Sequence, residues 1–254
     1  MEEKFIKLRR FNIVMAVLHF GQGIAMLLLS TGFKLPVNSS FLYFNTQTFS
    51  LQPEIKTLFE LKIGPMVAAF LFLSALFHLL ISLPGLNEIY NRNLSRHINF
   101  FRWIEYSLSS SIMMIVIAML VGIYDIATLI ALIGVNASMI LFGWMMELHN
   151  QTTERTNWTS FYFGCLAGII PWIAIAIYLF GAGGGGNSAP SFVYWIYFSI
   201  FLFFNSFAIN QVLQYKKIGK WQDYLYGERV YIILSLVAKS LLAWQVWAGT
   251  LRPV

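Results

Sequence analysis

The dominant pattern in the chain is a series of long apolar segments separated by polar connections. Seven segments reach the roughly twenty residues that a helix needs to cross about 30 Å of hydrocarbon. They cover residues of about 8–30, 61–83, 98–123, 125–147, 158–181, 190–214 and 227–250. The pattern therefore predicts an all-α membrane protein, a bundle of seven transmembrane helices with its termini on opposite sides of the bilayer.

The connections are short except for one. Residues of about 31–60 form the longest loop, in which Phe41, Tyr43 and the polar stretch 45–48 alternate with β-favouring residues, so we expect a short β-hairpin there. The glycines at 183–186 lack the following Lys-Ser/Thr of a phosphate-binding loop, and we interpret them as a flexible linker. No connection could hold a second domain, so residues 1–254 are predicted to form one domain.

Composition supports the bilayer as solvent and excludes several kinds of site. The chain is 58% hydrophobic and 11% charged, whereas a soluble domain has about 25% charged residues. Cys165 is the only cysteine, which excludes an internal disulfide and a cysteine-based metal site. The basic residues behind the net charge of +6 lie at helix ends rather than on one continuous face, so we expect no nucleic acid as a partner. We also expect no metal, because two histidines inside the spans are too few to favour a metal site.

The orientation follows from lysine and arginine in the loops, because these residues are enriched on the cytoplasmic side. The side of the amino terminus has Lys4, Lys7, Arg9, Arg10, Arg92, Arg96, Arg155, Lys216, Lys217, Lys220 and Arg229, and the other side has Lys34, Lys56, Lys62 and Arg252. We therefore predict a cell-membrane protein with a cytoplasmic amino terminus and an extracellular carboxyl terminus.

Lys239 is the most unusual residue, because a charge inside hydrocarbon is costly unless it is paired. It lies about ten residues, or roughly 15 Å, from the inner end of the seventh span, which is too deep to reach the interface. A buried lysine can lose its proton and form a Schiff base with an aldehyde. The alternative is a lysine that lines a polar transport cavity.

Glu105, in the third span, is the expected partner of Lys239. Both spans begin on the cytoplasmic side and side chains tilt toward the start of a helix, so the two groups lean the same way. The alternative is a local pair between Glu105 and Arg102, three residues earlier. Ser235 and Ser109 each lie one turn from one of the two groups, and could hydrogen-bond near them or bond their own helix carbonyls instead.

Two further sets of residues are candidates for the interior. We expect a hydrated, proton-accepting cytoplasmic cavity that includes His19, His78, Arg102 and Glu147, next to Tyr106; for either histidine alone, a satisfied buried imidazole is the alternative. We expect the flat apolar slot that a polyene needs to be formed among Trp103, Tyr106, Asn136, Met139, Trp172, Phe203 and Phe204.

The sequence around Lys239, Ser-Leu-Val-Ala-Lys-Ser-Leu-Leu-Ala-Trp, and Arg-Trp-Ile-Glu-Tyr-Ser at 102–107 closely resemble the heliorhodopsins, over essentially all seven spans. The resemblance implies a rhodopsin-like arrangement of the seven helices and all-trans retinal attached to Lys239. It further implies Glu105 as the counterion, Ser109 and Ser235 as neighbours, and His19 and His78 in the cytoplasmic cavity. It also implies isomerisation to 13-cis, a slow photocycle, a homodimer and, for most members, no ion transport.

Two positions differ from ordinary microbial rhodopsins. Ser235 stands where those proteins usually have a second aspartate counterion, and Val116 stands near the usual place of a proton-donor carboxylate. We therefore predict a light sensor, not an enzyme, that signals to an unidentified cytoplasmic partner. The alternatives are a light-driven or light-gated ion or proton transporter with the same chromophore, and a retinal-free seven-helix transporter or scaffold.

Overall fold

The computed structural model describes residues 2–181 and 188–252, so the predicted glycine linker lies outside the described residues. Its helices are α1 (Glu2–Leu29), α2 (Ile63–Leu80), α3 (Leu86–Ser95), α4 (Phe100–Leu120), α5 (Ile126–His149), α6 (Thr159–Gly181), α7 (Ser191–Tyr215) and α8 (Tyr224–Val246). A 3₁₀ turn, Gly219–Gln222, precedes α8, and a π turn, Trp247–Leu251, follows it. Within the described residues, seven helices, all but α3, are long and apolar enough to cross a membrane, which confirms the predicted bundle.

Three of the membrane helices begin at a side-chain cap. Asn99 accepts a hydrogen bond from the backbone N–H of Arg102 at the start of α4, and Asp125 accepts one from Thr128 at the start of α5. Asp223 caps α8 in the same way. Such caps satisfy N–H groups that have no partner inside the helix, so they fix where the chain turns back into the bilayer.

The predicted hairpin is present and is longer than expected. Strands β1 (Lys34–Asn45) and β2 (Ser50–Lys62) pair antiparallel, and β2 continues directly into α2. The side chain of Asn45 accepts hydrogen bonds from the backbone N–H groups of Gln47 and Thr48 and so closes the turn. Only the base of the hairpin packs against the bundle, where Val37 is buried.

Helix α3 was not predicted from the sequence. It has ten residues and is mostly polar, so it has neither the length nor the hydropathy of a span. Its Tyr90 and Leu94 are buried in a small cluster with Leu8 of α1 and Leu225 of α8. The helix therefore closes the bundle at the end where the amino terminus lies.

Helix α4 forms the centre of the bundle, with 72% of its span buried. Its second half, with Met114 and Ile117, packs in a large apolar core with Phe70 of α2 and Val246 of α8. Its first half instead carries buried polar residues. The interior is thus divided along α4 into a polar part near the amino-terminal side and an apolar part beyond it.

Candidate functional site

The deepest charged groups in the bundle are Lys239 on α8 and Glu105 on α4, and they form an ion pair. Lys239 Nζ lies 2.8 Å from Glu105 Oε1 and 2.9 Å from the hydroxyl oxygen of Ser235. Ser74 on α2 donates a hydrogen bond of 2.7 Å to the same Glu105 oxygen. Both charged side chains are buried, so each requires the other as a partner. Sequence reasoning missed Ser74, because a single serine in an apolar span carries no signal of its own.

Arg102 does not pair with Glu105, so the alternative of a local pair at that position was wrong. Its guanidinium instead contacts two carboxylates from other helices, Glu147 of α5 at 2.5 Å and Glu228 of α8. All three side chains are buried. We call Arg102, Glu147 and Glu228 the arginine cluster. Sequence reasoning missed Glu228 because it lies at the very start of the predicted last span, 227–250, where a carboxylate is ordinarily solvated.

The surroundings of the arginine cluster hold it in place. The backbone N–H of Asn99 donates to Glu147 and its side-chain amide donates to Glu228. The indole N–H of Trp103 donates to Glu147 at 2.7 Å. The guanidinium lies between the rings of Trp103 and Tyr231, at 4.4 and 4.0 Å from their centroids. These contacts join α4, α5 and α8 at the amino-terminal side of the Lys239 pair.

A cavity of about 190 Å³ lies beside Lys239, between α4, α5, α6, α7 and α8. Its lining includes Trp103, Tyr106, Ser109, Met139, Trp172, Phe204 and Ser235 from the predicted set, together with Phe201, Phe207, Tyr231 and Gln211. Trp172 packs edge-on against Tyr197, Phe201 and Phe204, with ring centroids 5.2–5.5 Å apart. The walls are therefore mainly apolar and rich in aromatic rings, and the amine of Lys239 is among the lining groups.

Two residues of the predicted slot do not line this cavity. Phe201, Phe204 and Phe207 share one face of α7, because residues three apart lie together on a helix, and Phe203 is turned about 100° away from Phe204 and does not contribute. Asn136 lies one layer behind the wall, where its amide donates to the hydroxyls of Ser110 and Ser111 at 2.8 and 3.0 Å. Sequence spacing did not separate these faces, because α7 is apolar all around.

The width of the cavity depends on two glycines. The ring of Trp103 packs where Gly143 would carry a Cβ atom, and Met139 Sδ lies 2.5 Å from the position of a Cβ on Gly168.

In the described part of the chain, the hydroxyl of Ser109 is buried with no hydrogen-bond partner and lines the cavity. An apolar slot rich in aromatic rings, with one buried amine in its lining, fits retinal, a flat polyene aldehyde.

A second, smaller cavity of about 30 Å³ lies on the amino-terminal side of the ion pair. Glu105, Arg102, Glu228, Asn12 and His78 line it together with Tyr90 and Tyr106. His78 Nδ1 lies 2.8 Å from Asn12 Oδ1, and the ring of His19 stacks on that of His78 with centroids 5.7 Å apart. Among the described residues, neither ring nitrogen of His19 has a hydrogen-bond partner. Glu147 contacts Arg102 from outside this cavity.

The fold and the buried lysine define a rhodopsin-type membrane protein, and the comparisons agree. The crystal structure of a light-driven proton pump, LR (Mac) from Leptosphaeria maculans, matches with a TM-score of 0.65 at 14% identity, over 95% of this chain and 94% of that one. The sequence model of the heliorhodopsin family matches residues 8–251. The comparison with curated proteins gave no match. The chain belongs to the heliorhodopsin family, whose chromophore is retinal.

Proposed function

We propose that the protein is a light sensor that carries all-trans retinal on Lys239 and does not pump ions. One observation carries this proposal: among the described residues, the buried charged groups and histidines other than the Lys239–Glu105 pair lie on one side of Lys239. His19, His78, Arg102, Glu147 and Glu228 are all near the amino-terminal side. A proton that leaves Lys239 therefore has groups to receive it in that direction.

In the opposite direction the described interior holds no buried charged side chain and no buried histidine. Beyond Lys239, the core consists of residues such as Met26, Phe70, Met114 and Val246, and residues 240–251 of the last span contain no Asp, Glu, Lys, Arg or His. A transmembrane proton relay requires ionisable groups or water along its whole length. The one-sided arrangement favours proton movement within the protein over transport across it.

The residues around Lys239 have distinct proposed roles. Retinal, when bound, supplies visible absorption and a light-driven change of shape. Lys239 Nζ is the attachment atom, and Glu105 is the counterion that stabilises a positive charge there. Ser235 and Ser109 provide hydroxyl groups beside that nitrogen. Trp103, Tyr106, Met139, Trp172 and Phe204 line the slot for the polyene. The proton-accepting region is formed by His19, His78, Arg102 and Glu147, together with Glu228.

We propose that the light signal leaves the protein as a conformational change at its cytoplasmic surface. The excess of lysine and arginine on the amino-terminal side supports a cytoplasmic amino terminus and an extracellular hairpin. The polar interior that receives the proton then faces the cytoplasm, next to α3 and the arginine cluster. We also propose that the protein forms a homodimer and that it signals to a cytoplasmic partner. We propose no nucleic acid as a partner.

Lipid vesicles that contain the retinal-loaded protein test sensing against transport. We expect no sustained light-driven change of internal pH and no steady photocurrent, with Lys239→Ala vesicles as the matched control for heating and light scattering. A sustained pH change that a protonophore abolishes, and that the Lys239→Ala vesicles lack, would establish the light-driven transporter instead.

A further inference from the structure

The arginine cluster contains more negative than positive charge. Glu147 and Glu228 together carry two negative charges when both are ionised, whereas Arg102 supplies one positive charge, and all three are buried. The pair of Lys239 and Glu105 is balanced by itself. Uncompensated charge in a low-dielectric interior is unfavourable, so the cluster is the buried group that gains most from one additional proton.

We propose that Glu228 takes up the proton that leaves Lys239, an inference that rests on the proposed function and names the acceptor within it. The two carboxylates of the cluster differ in their partners. Glu147 accepts four hydrogen bonds, from Arg102, Trp103, Tyr224 and the backbone N–H of Asn99. Hydrogen bonds to a carboxylate favour its ionised form, so the partners of Glu147 stabilise a negative charge there.

Glu228 accepts only two hydrogen bonds, one from Arg102 and one from the Asn99 side chain. Unlike Glu147, it also lines the small cavity that borders Glu105. It is therefore both the less stabilised carboxylate of the cluster and the one that a proton from Lys239 can reach.

The small cavity provides the route between the two sites. Its volume of about 30 Å³ is room for about two water molecules, since each needs roughly 10–15 Å³. Within the described chain, Asn12 Nδ2 is fully buried and has no hydrogen-bond partner, although Asn12 lines this cavity. A water molecule there satisfies that amide and links the carboxylates of Glu105 and Glu228.

The proton balance is simple. Lys239 Nζ gives its proton to Glu105, which lies 2.8 Å away and lines the small cavity. Glu105 in turn releases a proton that passes along the water molecules and binds a carboxylate oxygen of Glu228, so the total charge of the interior is unchanged. Other titratable groups also face Glu228. Arg102 and Glu147 belong to the arginine cluster, and the tyrosines beside it are Tyr90 of α3 and Tyr224 and Tyr231 of α8. Across the small cavity lie Glu105, Tyr106 and His78. Protonation of a histidine would add a positive charge to the cavity, whereas protonation of Glu228 removes the excess negative charge of the cluster.

Light-minus-dark infrared spectra of the retinal-loaded protein test this assignment through the C=O stretch of a newly protonated carboxylic acid. We expect this band in the unmodified protein and in Glu147→Gln, and its loss in Glu228→Gln. We also expect the proton to leave Lys239 at least about tenfold more slowly in Glu228→Gln, which corresponds to ~1.4 kcal/mol of barrier. A band that persists unchanged in Glu228→Gln, or that is lost only in Glu105→Gln, would overturn the proposal.

Two further measurements keep the assignment testable. If Glu228→Gln does not fold, the conservative Glu228→Asp variant is expected to shift the frequency of the band, and an unshifted band would again exclude Glu228. In the retinal-free protein, we expect Glu147→Gln to lower the melting temperature more than Glu228→Gln, because Glu147 accepts four hydrogen bonds and Glu228 accepts two; the reverse order would contradict the assignment. Spectra are compared only for samples with a visible retinal band, so a failed chromophore is not mistaken for a failed acceptor.

Discussion

Lys239 Nζ and Glu105 Oε1 lie 2.8 Å apart, although 134 residues separate them in the chain. The contact joins α4 to α8 beside the large cavity, and Ser74 and Ser235 each add a hydrogen bond to it. Because both charges are buried, removal of one leaves the other unpaired in a medium of low dielectric. The pair therefore determines where positive charge is stable inside this bundle.

Glu105→Gln removes the negative charge beside Lys239 while it conserves size. In the retinal-loaded variant we expect a large shift of the visible absorption band or loss of the proton from Lys239 Nζ at neutral pH, since no other carboxylate contacts that nitrogen in the described residues. Ser74→Ala removes one hydrogen bond to the same carboxylate and is the matched control, with a smaller shift. An absorption spectrum unchanged by Glu105→Gln would exclude Glu105 as the counterion.

Arg102→Met removes the only cation that contacts Glu147 and Glu228 in the described structure. We expect it to lower the free energy of unfolding by about 3–5 kcal/mol, because two buried carboxylates lose their partner. Lys7→Met breaks an exposed pair with Glu3 and is expected to cost less than about 1 kcal/mol. Thermal unfolding in detergent measures both, and equal effects would argue against a structural role for the arginine cluster.

Much of this arrangement was predictable from the sequence. The remainder was not, and the physical reasons can be named. Lys239 and Glu105 were recognisable because a charge deep in an apolar span has few ways to be stable. Glu228 and Ser74 were not, since Glu228 lies at the start of the predicted last span and Ser74 is a small polar residue of a type that is common in membrane helices. Phe203 was wrongly placed because the uniform apolarity of α7 conceals which face looks inward.

Gly168→Ala tests whether the glycines set the width of the cavity. The new methyl group would lie 2.5 Å from Met139 Sδ, so the methionine must move toward the slot. We expect slower or weaker uptake of retinal and a shifted absorption band, with little loss of stability because methionine is flexible. Gly134→Ala on α5 is the matched control, since no atom lies within 4 Å of its new methyl group. Identical uptake and spectra in the two variants would show that Gly168 does not shape the site.

Asp223, at the start of α8 and outside the membrane, gives a prediction for pH. Partial burial raises the pKa of this carboxyl, but the Lys4 ammonium at 2.8 Å and the Leu225 N–H outweigh it, so the pKa lies below its usual value. A lowered pKa in the folded state stabilises the protein above the ordinary pKa of about 4, and this contribution is lost as pH falls through the folded value.

Asp223→Asn retains an acceptor for the helix cap but loses the charge. Because the Lys4 pair is largely exposed, we expect a cost below about 1 kcal/mol at pH 7. The difference in melting temperature between the two proteins should shrink as the pH approaches 3. A difference that is the same at both pH values would mean that the charge of Asp223 contributes nothing.

The absorption spectrum after addition of all-trans retinal tests the central claim most directly. Purified protein is expected to develop a visible band, whereas Lys239→Ala, shown by circular dichroism to remain helical, is expected to develop none. Absence of a visible band from the unmodified protein, or the same band in folded Lys239→Ala, would contradict the assignment of Lys239 as the residue that holds retinal.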